Sequence, residues 1–207
     1  MNTFSLSYLH KALIERNAFI YHGAGVAKGV GNVSTNAIPF LDRLRNVITQ
    51  DLEVCCSTVK FGDSELNLDF WGRIGLILWP RSHNSITLVS PIDAGTIPDP
   101  NNFGRRQITR LPITSDALVN SIDSRPPQTA NEWCVLDYDV IGIFVEPKIQ
   151  YVENGDLHDV ELMDVFQNFP SMRVFAFNNG LLREVLPPGN WGSLVSISDL
   201  YPYDDKA

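Results

Sequence analysis

Residues 131–147 read Asn-Glu-Trp-Cys-Val-Leu-Asp-Tyr-Asp-Val-Ile-Gly-Ile-Phe-Val-Glu-Pro. Val135, Val140, Ile141, Ile143, Phe144 and Val145 make this the strongest strand signal in the chain, because β-branched and aromatic residues dominate it and Pro147 closes it. Asp137, Asp139 and Glu146 alternate about the apolar residues in the manner of an exposed edge. Upstream, Leu52 to Phe61, Leu66 to Trp71, Ile74 to Trp79 and Ser85 to Ser90 also read as extended. Downstream, Asn154-Gly155 marks a hairpin turn, and Asn178-Asn179-Gly180 joins Arg173–Phe177 to Leu181–Val185 in a second hairpin.

Helical spacing is concentrated near the start. Phe4, Leu6, Leu9, Ala12 and Leu13 predict an amphipathic helix over 4–17, and Ile38, Leu41, Leu44 and Ile48 predict another over 37–50. Between them Ala18–Tyr21 reads as a short strand. Shorter helices are predicted around 114–122 and 159–168. Helices first and strands afterwards favour an α+β class, with N-terminal helices followed by a largely antiparallel two-sheet β core. No internal repeat or composition shift divides the chain, so 1–207 is read as a single domain.

At 207 residues the chain can bury roughly 70% of the surface its unfolded form exposes. The net charge of −8 argues against a large nucleic-acid surface, which needs clustered Lys and Arg. Arg105, Arg106 and Arg110 form the only basic cluster, inside a Pro-, Asp- and Asn-rich stretch over 91–127 that reads as long loops. Lys11, Glu15 and Arg16 interrupt any N-terminal signal sequence, and Ile74–Trp79, the longest apolar run, is far short of the roughly 20 residues of a membrane helix. The expectation is a soluble protein with no membrane partner. Cys55, Cys56 and Cys134 are odd in number and lack C-x-x-C spacing, so they are expected as buried, reduced thiols in a cytoplasmic protein.

The candidate chemistry lies in two short segments. Ala18-Phe19-Ile20-Tyr21-His22-Gly23 ends a strand on an imidazole followed by a glycine. An imidazole there can hold a ribose hydroxyl, and a glycine lets backbone groups approach a planar amide. The glycines that follow do not form a phosphate loop: Lys28 precedes Gly29, and Gly23, Gly25 and Gly29 miss the G-x-G-x-x-G spacing. The second segment, Asn131-Glu132-Trp133, opens a strand on a carboxylate. His10, His22, His83 and His158 have no metal-ligand spacing, so no metal is expected.

Tyr21-His22-Gly23 and Glu132 together resemble the histidine-type ADP-ribosyltransferases, the diphtheria-toxin- and poly-ADP-ribosyltransferase-like branch. In those enzymes a strand ends in Tyr- or Trp-His-Gly and a later strand starts at the catalytic Glu. The resemblance implies NAD as co-substrate, with His22 on the nicotinamide ribose, Gly23 on the carboxamide, and Glu132 polarising a ribose hydroxyl. It implies a toxin- or effector-like modifier of an acceptor expected to be a protein. The family's stacking tyrosine has no counterpart, since no tyrosine lies between Tyr21 and Tyr138. Trp71 and Trp79 are the aromatic candidates for that face, with Trp79 assigned to the cofactor-binding set. Ser57-Thr58 resembles the serine motif of the arginine-type branch. The rival expectation is a non-enzymatic protein that binds a macromolecular partner through the 91–127 region.

Overall fold

The computed structural model describes residues 2–23, 40–49, 52–61, 74–91, 112–124, 131–145, 150–153, 156–159 and 161–201. The predicted strand at 66–71, the arginine cluster and most of the 91–127 region lie outside them. Helix α1 (Leu6–Glu15) starts where Ser5 accepts a hydrogen bond from the Tyr8 amide, and it buries Leu9, Ala12 and Leu13. Asn17 turns the chain with φ of 48°, and β1 (Ala18–Gly23) follows. Next come α2 (Phe40–Thr49), β2 (Val54–Lys60), β3 (Ile74–Pro80), a short 3₁₀ turn and β4 (Ile86–Ser90). Helix α3 (Ser115–Asp123), capped by Thr114, precedes β5 (Glu132–Val135) and β6 (Tyr138–Val145). The remainder is β7 (Gln150–Glu153), β8 (Asp156–Asp159), α4 (Leu162–Asn168), β9 (Val174–Asn178), β10 (Leu181–Leu186), β11 (Asn190–Leu194) and α5 (Ile197–Leu200).

Nine strands form one sheet in the order β11-β10-β9-β6-β3-β1-β2-β5-β4. This corrects the two-sheet expectation: the α+β class holds, but β1 pairs with both β2 and β3 and so joins the strands on its two sides into one sheet. All pairings in it are antiparallel except β6 with β9. The hairpin β7–β8 stands as its own two-stranded sheet. Only α1 precedes the first strand, because α2 comes after β1. Among the described residues no helix is long and apolar enough to cross a membrane.

Central strands are apolar on both faces, as burial from both sides requires. Phe19, Ile20 and Tyr21 of β1, Leu76, Ile77 and Leu78 of β3, and Ile143, Phe144 and Val145 of β6 are all buried. Asp137 and Asp139 are exposed, yet β6 is not an edge strand; Arg81 ties the two carboxylates at 2.9 and 2.8 Å. Phe19, Tyr21, Phe144 and Phe177 form an aromatic cluster with ring centroids 5.2–6.4 Å apart. Gly75 permits this cluster, since a Cβ there would stand 2.1 Å from the His22 carbonyl oxygen and 2.7 Å from the Tyr21 ring.

Two polar devices lock the sheet. Asn131 accepts from Ser57 Oγ at 2.5 Å and the Thr58 amide at 2.9 Å, and donates to Thr58 Oγ1 at 2.6 Å and the Ser121 carbonyl at 2.8 Å. Trp133 Nε1 donates to Ser121 Oγ at 2.9 Å, so α3 is tied to β2 and β5 together. Tyr201, just past α5, places its hydroxyl between β1 and β3. The oxygen accepts from the Ile20 amide and donates to the Leu78 carbonyl, both at 3.0 Å.

Candidate functional site

Three adjacent strands carry the residues of interest. Pairing of Tyr21 with Ser57, and of Cys56 with Trp133, aligns β1, β2 and β5 so that His22 lies in the row of Cys56 and Trp133. The next row places Cys55 directly opposite Cys134. Alternation along β5 turns Glu132 to the same face as Cys134 and therefore as Cys55. The sequence places His22 and Glu132 110 residues apart; the fold brings both close to Cys55, but His22, in the row of Cys56 and Trp133, belongs to the face opposite to that of Glu132.

His22 reaches Cys55 through the backbone: Nδ1 lies 2.7 Å from the Cys55 carbonyl oxygen. A carbonyl only accepts, so Nδ1 carries the proton and Nε2 of the neutral ring is the acceptor. Burial holds the imidazole pKa below its ordinary value, the bond to Cys55 working in the opposite direction. The neutral ring is the form that accepts from a hydroxyl.

Glu132 reaches Cys55 through the side chain. Glu132 is 8% exposed, and its buried Oε2 has no hydrogen-bond partner. A buried carboxylate oxygen without a partner is costly, and such groups concentrate where a ligand completes them. The carboxylate and the thiols of Cys55 and Cys134 all lie within 4.8 Å of one another. The two sulfurs are 3.9 Å apart. This closeness follows from the ladder: the Cys55 carbonyl is taken by His22 on one side and the Cys134 carbonyl by Thr87 Oγ1 on the other. The pair is therefore of the non-hydrogen-bonded kind, which brings side chains closest. The hydrogen bond shared by the two thiols lowers the Cys55 pKa and raises that of Cys134.

The other predicted residues separate. Gly23 ends β1 opposite Gly75. Tyr21 is fully buried in the aromatic cluster, where its ring backs the strand that carries His22. Trp79 is not brought to His22: it stacks on Tyr201 at 4.7 Å and meets His10 edge-on at 6.0 Å, three residues beyond the Leu76 that pairs with His22. Ser57 and Thr58 serve the Asn131 network. Of the loop-binding alternative, α3 is described, and its Leu118, Ser121 and Ile122 are buried in the fold.

Cysteine spacing concealed the thiol pair. Cys56 and Cys134 are buried as expected, but Cys55 is exposed. Only strand register joins residues 55 and 134, and register is invisible in a spacing rule. The chain matches no family model, no curated protein and no solved structure.

Proposed function

We propose that the protein is an ADP-ribosyltransferase-like enzyme that takes ADP-ribose from NAD and passes it to an acceptor, expected to be a protein. The observation that carries this reading is the Glu132 carboxylate, buried at the first position of β5 with one oxygen unpartnered, a single strand away from His22-Gly23 at the end of β1. In the reaction the bond between the ribose C1′ and the nicotinamide nitrogen breaks, and its electron pair leaves with the nicotinamide. Glu132 accepts a hydrogen bond from a ribose hydroxyl and faces the positive charge that grows at C1′. That interaction is strongest in the transition state, where it accelerates the step. The Gly23 backbone meets the carboxamide, and His22, on the opposite face of the sheet, fixes that end of β1 through its Nδ1 bond to the Cys55 carbonyl. The acceptor nucleophile then bonds to C1′ and releases its proton to water.

The test is nicotinamide release from NAD by the purified protein, beside calorimetric titration with NAD at millimolar concentration. Glu132→Gln is expected to cut turnover by at least about 100-fold, comparable with loss of one preorganised group in an active site, while the circular dichroism spectrum is unchanged. Absence of NAD binding at millimolar concentration refutes the proposal.

A further inference from the structure

We infer that Cys55, Cys134 and Glu132 form a binding site for a thiophilic divalent cation of the zinc class. Two thiols and a carboxylate on one face of two paired strands supply the donor types such ions take. The spacing fits as well as the chemistry. A tetrahedral ion with metal–sulfur bonds of about 2.3 Å holds its sulfurs about 3.8 Å apart, and the two sulfurs stand at 3.9 Å. The carboxylate already lies within the same 4.8 Å triangle.

The independent pointer is Glu132 Oε2. It is buried, it has no hydrogen-bond partner, and it belongs to the residue whose carboxylate completes that triangle. A cation between the sulfurs and this oxygen supplies the missing interaction. Both cysteines sit on β strands inside the ladder, so the ligand frame is built before the ion arrives. Cys55 is exposed, which gives the ion an entry path and leaves a fourth position on the solvent side for water.

The site shares Glu132 with the proposed transfer reaction but does not depend on it. An ion on Glu132 occupies the carboxylate that the ribose requires, so the two ligands compete.

Cobalt(II) is the probe, titrated into the fully reduced full-length chain without oxygen. One equivalent is expected to bind with the intense near-ultraviolet absorption of thiolate-to-cobalt charge transfer and the visible bands of a tetrahedral centre, and zinc is expected to displace it. Outer partners of metal ligands alone contribute about 10–100-fold to affinity, so Cys55→Ser and Cys134→Ser are each expected to weaken binding more than about 100-fold. Glu132→Gln is expected to weaken it while keeping the charge-transfer band. Cys55→Ser, at the exposed position, keeps the test valid if Cys134→Ser does not fold. Absence of a charge-transfer band in the reduced protein overturns the inference, as does a band that survives loss of Cys55. Neither result bears on NAD, and failure to bind NAD leaves the cobalt spectrum untouched.

Discussion

Replacing Tyr201 with Phe removes one oxygen atom and leaves the ring stacked on Trp79. That oxygen links the Ile20 amide to the Leu78 carbonyl, residues that face each other across β1 and β3. Without it a buried donor and a buried acceptor lose their partner together. Each such loss costs about 1–3 kcal/mol, and the variant no longer buries a hydroxyl, so the net destabilisation is about 2–4 kcal/mol. With a urea m value of about 2 kcal/mol/M, the unfolding midpoint falls by about 1–2 M at unchanged m. The pH dependence separates this cause from a packing defect. Burial raises the Tyr201 phenol above its ordinary pKa, the bond with Ile20 acting the other way. In the unfolded chain the phenol ionises near pH 10, whereas in the folded chain it stays protonated. The contribution is therefore complete below about pH 10 and declines above it, by up to about 1.4 kcal/mol per pH unit. Wild type and Tyr201→Phe should converge as the pH rises from 10. A loss below about 0.5 kcal/mol at pH 7, or a gap that does not narrow in alkali, refutes the wedge as a stabilising element.

Gly75→Ala is expected to cost at least about 3 kcal/mol, the upper part of the overpacking range, because its Cβ meets the His22 carbonyl and the Tyr21 ring. Thermal unfolding reads the loss. Asn131→Ala removes bonds to Ser57, Thr58 and Ser121 and leaves the buried Thr58 amide unpaired; a loss of about 3–5 kcal/mol by urea unfolding is expected. Asp123 receives Arg16 at 3.0 Å and Lys60 at 3.1 Å, both at the surface, so Asp123→Asn is expected to cost only about 0.5–1 kcal/mol at pH 7. Desolvation raises the Asp123 pKa, but the bonds from Lys60 and Arg16 outweigh it and the net shift is downward. The stabilisation is thus present above the ordinary carboxylate range and lost as the pH falls through the lowered value. The difference between Asp123→Asn and wild type should shrink in acid unfolding scans.

Elements with a strong local pattern were legible in the sequence. The apolar density of Val140–Val145 marked β6, and Asn179-Gly180, with φ of 52° and 75°, marked the turn between β9 and β10. Helices α1 and α3 carried a buried stripe and a capping residue, and α2 buries Leu44. Strand β11 was missed because an edge strand with largely exposed side chains has no apolar alternation to read. Helix α5 was missed because four residues give no period; its signal is the capping box of Ser196 and Asp199. At the candidate site the polar ends of β1 and β5 were visible as motifs. Their meeting at Cys55 was not, since it depends on β2 lying between them in one particular register.

The strand order also fixes how the sheet can assemble during synthesis. Strand β1 is the first made and lies well inside the sheet; β2 then joins on one side and β3 on the other. Strands β5 and β4 extend the first side, and β6, β9, β10 and β11 extend the second. Apart from β4, which waits for β5, every new strand meets an edge that is already present as the chain emerges. A second exception to this outward growth is the Tyr201 hydroxyl, 181 residues from the amide it caps. At about 5–20 residues per second, the centre of the sheet waits about 10–40 s for its last hydrogen bond.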